Sequence, residues 1–167
     1  AGLQGSFSSI EAAAAIGVIC VNVLLASAGG SLAAMFLTQT VYKRTGLVSA
    51  MTGSIAGLVS ISADPLSASM WQAAMIGAVG GVIVTVTPPF LDRFRIDDAG
   101  FSIPAHCFCG VWGCFISFWP SAESRLSGQV VGIVAIVGFS FFMSVLIWVA
   151  LKYTVGVRSV PVEELAE

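Results

Sequence analysis

Long segments without a charged residue constrain this chain more than any other feature of its sequence. Five such segments separate its Lys, Arg, Asp and Glu residues, and each is close to or above the roughly 20 mainly apolar residues that a membrane-spanning helix needs. The composition agrees, because 57% of the residues are hydrophobic and 10% are charged, against roughly 45–50% and about 25% in soluble globular proteins. The sequence therefore predicts an all-α polytopic membrane protein, integral to a plasma, inner or organelle membrane, with about five transmembrane helices. The expected spans are residues 12–40, 46–63, 68–90, 100–119 and 127–152.

The second of these spans is the shortest and only modestly apolar. Its segment L-V-S-A-M-T-G-S-I-A-G-L-V-S-I-S-A carries five hydroxyl side chains. Serine and threonine can hydrogen-bond to their own helix or to a neighbouring one, so they are compatible with a span. The Asp64-Pro65 pair is expected to end this helix.

Basic residues segregate to one side of the predicted spans. Six lie on the side that holds the C-terminus, whereas Arg125 alone lies on the other side. An excess of this kind marks the cytoplasmic side of a membrane protein. Residues 1–158 are therefore expected to form a membrane domain with the N-terminus outside, and residues 159–167 a cytosolic tail. The six residues are Lys43, Arg44, Arg93, Arg95, Lys152 and Arg158.

Glycines recur at helical spacing within the predicted spans. Such small residues let helix backbones approach closely, so that van der Waals contact can hold helices together inside a membrane. We therefore expect them to mark helix–helix contacts, and we expect Asn22, in the middle of the first span, to hydrogen-bond to another helix. The glycines concerned are Gly29, Gly30, Gly53, Gly57, Gly77, Gly80, Gly81, Gly110 and Gly113.

The only histidine, His106, lies within Ile96–Cys114, which reads I-D-D-A-G-F-S-I-P-A-H-C-F-C-G-V-W-G-C. An ionisable side chain inside a membrane span is costly and marks a functional site by default. The cost favours a neutral imidazole with one donor and one acceptor nitrogen, which suits a narrow pore for a small hydrogen-bonding solute or a proton. Pro104 can open the helix at this point, and Ser102 precedes His106 by one turn on the same face. The alternative is a hydrogen-bonded packing histidine.

Asp97 and Asp98 stand directly before this apolar run. Carboxylates in such a position accept the free backbone N–H groups of a helix N-terminus, so we expect both residues to cap the fourth helix. A paired-carboxylate catalytic site is the alternative, but no nucleophile or metal motif lies nearby. The four cysteines fall in apolar runs without zinc-finger spacing, so neither a metal, a cofactor nor a disulfide is predicted. These features argue against an enzyme, and a net charge of −2 from few charged groups argues against a nucleic-acid partner.

Four stretches of the sequence resemble the ammonium transporter family, which includes the methylammonium permeases and Rhesus proteins. The most specific is D-D-A-G-F-S-I-P-A-H-C-F-C-G-V-W-G-C at 97–114, which is similar to the family's two aspartates, pore histidine and G-x-x-G in one helix. The others are V-N-V-L-L-A-S-A-G-G at 21–30, G-S-I-A-G-L-V-S-I-S at 53–62 and T-V-G-V-R at 154–158. Their order matches the C-terminal half of a family member.

The resemblance implies a fold of eleven helices, made of two inverted five-helix repeats and a last helix, and assembled as a homotrimer with one pore per subunit. The spans of this chain then correspond to the second repeat and the last helix. His106 matches the second of two paired pore histidines, and its partner belongs to a first half that this chain does not contain. In the family, ammonium is bound outside, loses a proton and passes the two imidazoles as ammonia. The sequence departs from the family at Cys107, where glycine is usual, and at Ser102, a pore-lining position that is usually apolar in bacterial relatives.

Two functions are compatible with this resemblance. The first is transport of ammonium or ammonia across a lipid bilayer, by a module that a companion chain or a missing N-terminal half completes. The start at Ala1, without a signal peptide, also suggests a processed chain or part of a longer one. The alternative is a non-conducting structural subunit of a larger membrane complex, or an ammonium sensor, which the missing helices and the two departures favour. A histidine facing His106 would support transport, whereas packing of His106 among other side chains would exclude it.

Overall fold

A computed structural model describes residues 10–43, 46–96, 98, 100–117 and 126–156, and every regular element within these ranges is a helix. The prediction of an all-α protein is therefore confirmed. The chain divides into two compact units, Ala1–Gln129 and Val130–Glu167, of which the first holds a helix bundle and the second holds most of the last helix. The elements are α1 (Ile10–Tyr42), α2 (Leu47–Ile61), α3 (Met70–Val86), α4 (Pro88–Arg93), a π-helix (Ile103–Phe108), α5 (Cys109–Ile116) and α6 (Leu126–Thr154).

Each predicted span coincides with a helical segment, although two segments are shorter than expected. Among the described residues, three helical stretches are long and apolar enough to cross a membrane, and two further apolar helices are shorter. The predicted spans 46–63 and 100–119 therefore extend beyond the helices that form there. The long stretches are Ile10–Tyr42, Met70–Arg93 and Ser127–Thr154, and the shorter helices are Leu47–Ile61 and Ile103–Ile116.

Local chemistry explains where α2 and α3 end. The Ser62 hydroxyl donates to Val59 O (2.7 Å) in the last turn of α2, and Asp64-Pro65 lies in the following loop, as predicted. Pro88 and Pro89 have no backbone N–H, so they cannot continue the hydrogen-bond ladder of α3. The third span is consequently divided into α3 and α4.

Close backbone contacts hold the bundle together around α1. Ala26 and Gly30 of α1 lie against Gly57 and Gly53 of α2, respectively. The same two residues lie against Gly77 and Gly81 of α3, respectively. The order of these contacts makes α1 antiparallel to α2 and parallel to α3. A Cβ added at most of the predicted contact glycines would overlap the backbone of another helix, so the prediction is confirmed for Gly29, Gly30, Gly53, Gly57, Gly77, Gly80, Gly81 and Gly113. Gly110 differs, because a Cβ there would meet only a Val59 side-chain carbon at 3.9 Å.

Asn22 binds a loop rather than another helix, which corrects the expectation from the sequence. Its buried Nδ2 donates to Pro65 O (2.9 Å) and to Ala68 O (2.7 Å) in the α2–α3 loop. The cause is a difference in length, because α2 has 15 residues and α1 has 33, so the loop that follows α2 meets α1 near its middle. The two hydrogen bonds anchor that loop to α1.

Replacing this amide is expected to loosen the loop. In Asn22→Ala, the two loop carbonyls lose their donor, and we expect the free energy of unfolding to fall by about 1–3 kcal/mol. Asn22 Oδ1 is itself buried without a partner among the described residues, so its removal offsets part of the loss. Thermal unfolding of the purified protein measures the change. Thr40→Val is the control, because the exposed Thr40 hydroxyl bonds only to Phe36 O on its own helix (2.7 Å). Equal stability of the two variants would contradict the anchoring role.

Candidate functional site

The Asp98 side chain caps the site helix, which consists of the π-helix and α5. Its Oδ1 accepts a hydrogen bond from the Ser102 backbone N–H (2.9 Å), and its Oδ2 accepts one from the Ile103 N–H (2.8 Å). Both carboxylate oxygens thus satisfy N–H groups that have no partner in the first turn of a helix, and the negative charge lies at the positive end of the helix dipole. This geometry fixes where the π-helix starts. Asp97, the other predicted cap, lies outside the described residues.

The π-helix Ile103–Phe108 carries His106. Pro104 lacks a backbone N–H, which removes one donor from the regular ladder. The Cys109 N–H then reaches both His106 O and Pro104 O, and the bond to Pro104 spans five residues as in a π-helix. Single π turns of this kind are frequent at functional sites, because the wider turn displaces side chains from their α-helical positions.

One face of the π-helix and α5 packs on the bundle and fixes the orientation of this segment. Pro104, Ala105 and Cys109 are buried, and Cys109 Sγ lies 3.6 Å from Gly80 O of α3. Further along, the Trp112 Nε1 donates to Ile76 O (3.3 Å), and Gly113 lies against the Ser60 backbone. Three contacts to α2 and α3 thus hold the π-helix and α5 on a scaffold of close-packed helices.

His106 and Ser102 occupy the other face, where both side chains are exposed on the surface of the bundle. No described residue hydrogen-bonds to the His106 imidazole. Cys107 and Phe108 beside it are also exposed. Within the described part of its unit, the imidazole is therefore neither packed in a core nor enclosed, and both of its nitrogens are available to a ligand or to a group from elsewhere. The role of His106 and Ser102 as pore residues stays a prediction.

The anchoring side chains Cys109 and Trp112 were not predicted to have a role in the site. Their sequence signal is weak, because a small thiol and an indole in an apolar run are typical of packing in any helix. Phe101 was also missed, and it adopts a left-handed backbone conformation (φ 53°) two residues before the π-helix. Within the described part of the chain, no group of three or more His, Cys, Asp or Glu side chains could hold a metal ion.

Comparison with known proteins identifies the family. A sequence model of the Ammonium Transporter Family matches residues 2–167. The chain belongs to the ammonium transporter family. It is an integral membrane protein, because its long apolar helices and its family agree on a membrane setting.

Similar proteins come from distant organisms. One relative is a Synechocystis sp. protein that is provisionally named an ammonium transporter. It is 37% identical over 129 residues, which cover 74% of this chain and 29% of that protein. Ammonium transporter Amt2 of Archaeoglobus fulgidus is 28% identical over 171 residues, which cover 90% of this chain and 36% of that protein. The solved structure of a Sensor Amt Protein superposes with a TM-score of 0.79 at 26% identity, covering 90% of this chain and 40% of that one. This family member thus spans roughly a third of the length of its relatives.

Proposed function

We propose that this chain is the C-terminal half of an ammonium transporter and forms one wall of a pore that carries ammonium or ammonia, with His106 facing the solute. The exposed His106 imidazole, without a hydrogen-bond partner in the described residues, is the observation that supports this proposal most directly. A rigid scaffold presents it, since the π-helix is capped by Asp98 and anchored on α3 through Cys109. Ser102, also exposed, supplies a hydroxyl on the same wall.

Desolvation explains why an imidazole suits this solute. An ammonium ion that enters a low-dielectric pore loses its hydration, at an effective cost of several kcal/mol even after the surroundings relax. Neutral ammonia carries no such charge penalty and needs only hydrogen bonds. A neutral imidazole offers one acceptor and one donor nitrogen, so it can accept an N–H bond from the passing molecule or donate to its lone pair. The proton that ammonium leaves behind moves separately, and His106 is placed to relay it.

The second wall comes from residues outside this chain. The chain covers 29% and 36% of two curated relatives, so a missing N-terminal half or a companion chain supplies the remaining helices and a group that faces His106. The assembly is a homotrimer, or this chain is a subunit of a larger membrane complex. Asp97 and Asp98 lie on the cytoplasmic side, together with the end of α1 and the C-terminal tail, and the N-terminus lies outside.

An ammonium sensor is the second candidate function. It is favoured by the likeness to the Sensor Amt Protein, at a TM-score of 0.79 and 26% identity. A sensor uses the same wall to bind ammonium, and its bound ion changes the shape of the protein instead of crossing the membrane. Cys107 beside His106 adds side-chain volume on that wall, which is compatible with a narrower passage.

Flux measurements in liposomes separate the two candidates. The full-length assembly, purified from its membrane and reconstituted, is expected to give saturable uptake of methylammonium and ammonium-dependent current above that of empty liposomes. Tetramethylammonium is the matched control ion, because it has no N–H to donate or to lose, and we expect no uptake of it. Saturable binding of methylammonium without flux would identify a sensor. If the assembly showed no binding and no flux, both candidates would be overturned.

A further inference from the structure

A cavity of about 260 Å³ lies at the end of the bundle where α1 ends and α2 begins. Its walls come from α1, α2, α3 with α4, and the segment before the π-helix, and neither His106 nor Ser102 lines it. A water molecule takes up about 30 Å³ in the liquid, so the cavity is much larger than one water or one ammonium ion needs. Its volume fits a small organic molecule. Because neither His106 nor Ser102 lines it, the cavity is separate from the proposed pore wall.

Three threonines from three different helices line this cavity, and each donates its hydroxyl hydrogen to its own helix. The Thr38 hydroxyl donates its hydrogen to Ala34 O (2.6 Å), the Thr52 hydroxyl to Val48 O (2.8 Å) and the Thr85 hydroxyl to Gly81 O (2.8 Å). All three are lining residues. A hydroxyl has one hydrogen and two lone pairs, so a hydroxyl that donates to its own helix can offer only lone pairs to a ligand. These three hydroxyls can therefore accept hydrogen bonds from a ligand but not donate to it, whereas the Tyr42 and Ser49 hydroxyls, which also line the cavity, can do either.

The charge and the aromatic side chains of the lining favour a cation. Of the described residues that line the cavity, Asp92 alone is charged, and the basic residues Lys43 and Arg93 at this end of the bundle do not line it. Tyr42 and Phe101 also contribute to the wall. Aromatic rings attract organic cations through their faces and provide an apolar surface for the rest of such a molecule. Acceptor hydroxyls, one carboxylate and aromatic rings together are the complement of an amphipathic amine.

We propose that this cavity binds an amphipathic amine, with its ammonium group at Asp92 and the threonine hydroxyls and its apolar part against Phe101, Val84 and Pro88. The binding site does not depend on the proposed transport function, because it shares no residue with the His106 wall. Phe101 borders both regions, because its carbonyl accepts the Ala105 N–H (3.1 Å) and its side chain packs against a buried cluster that includes Ala105 and Cys109.

Benzylammonium and benzyl alcohol test the proposal, because they have the same shape and differ in charge. In isothermal titration of the full-length assembly in detergent at neutral pH, benzylammonium is expected to bind saturably, with one site per chain and at least about tenfold more tightly than benzyl alcohol. Thr38→Val and Thr85→Val are each expected to weaken it by about tenfold, since each removes one acceptor for a charged donor. Asp92→Asn is expected to weaken it further. Thr38→Ser keeps the hydroxyl and is expected to keep the affinity.

Two variants serve as controls. Thr40→Val removes an exposed hydroxyl two residues from Thr38 that does not line the cavity, so the affinity should not change. His106→Ala should retain benzylammonium binding even where it stops ammonium flux, so failure of one proposal is distinguishable from failure of the other. The amine site would be overturned if benzyl alcohol bound as tightly as benzylammonium or if benzylammonium binding did not saturate. It would also be overturned if binding were lost in His106→Ala but not in Thr38→Val.

Discussion

Gly77→Ala is expected to destabilise the bundle, although alanine is the better helix former. A Cβ on Gly77 would overlap the backbone of Ala26, whose Cα, C and O atoms all lie within contact distance of that position. The obstacle is backbone, which cannot rotate away as a side chain does, so α1 and α3 must move apart along their whole contact. Overpacking of this kind costs about 1–3 kcal/mol. Because the obstacle is backbone, we expect a cost in the upper part of this range, which exceeds the gain of about 1 kcal/mol that alanine offers over glycine in a helix. Gly77→Leu is expected to prevent folding.

Gly17→Ala supplies the matched comparison. Gly17 lies in α1, and a Cβ there meets no described residue within 4 Å. Its substitution should therefore leave the melting temperature unchanged or raise it, whereas Gly77→Ala should lower it. Thermal unfolding of both variants measures the direction of each change in melting temperature. Size-exclusion chromatography then measures the fraction of each protein that remains monodisperse. A Gly77→Ala protein as stable as Gly17→Ala would show that α1 and α3 do not pack at this distance.

The sequence allowed the helices to be predicted, because their main determinant is local. A segment of about 20 residues without charge can satisfy its backbone in a membrane only as a helix. The contact glycines were predictable for a similar reason, since only small residues allow backbones to touch. Helix ends were less predictable. Residues 62–63 belong to a loop that Asn22 holds against α1, and nothing in the local sequence indicates that contact.

The N-terminal cap of the candidate site was predictable from the sequence, but the backbone of the site was not. The position of Asp98 before an apolar run indicates an N-terminal cap, and the structure shows its carboxylate on two backbone N–H groups. Pro104 indicates a disturbed turn, yet proline can produce a kink, a break or a wider turn. The π-helix forms here with Ala105 and Cys109 buried against the bundle, so tertiary packing decides among these outcomes. That packing involves residues of other helices, so the local sequence does not predict it.

His106→Ala in the full-length assembly is expected to reduce ammonium flux by at least about 100-fold, the lower end of what a positioned proton-transfer group contributes to a rate. The reason lies in what replaces the imidazole. Alanine offers neither a donor nor an acceptor, so a solute that has lost its water loses the hydrogen bonds of the imidazole, and the proton has no relay. The exposed position of His106 makes the variant informative, because removing an exposed side chain leaves no cavity in the bundle. Uptake of methylammonium and ammonium-dependent current, measured in the same liposomes, report the loss.

Cys107→Gly is the control at the next residue, and it is not expected to reduce ammonium flux. It removes side-chain volume from the same exposed wall and leaves the imidazole in place, so flux is expected to be unchanged or higher. A thermal melt of both variants shows whether either effect is a loss of fold. Flux in His106→Ala equal to that of the unmodified protein would remove the imidazole from the mechanism. If Cys107→Gly abolished flux while His106→Ala preserved it, flux would require the Cys107 thiol and not the His106 imidazole, and the proposed role of His106 would be wrong.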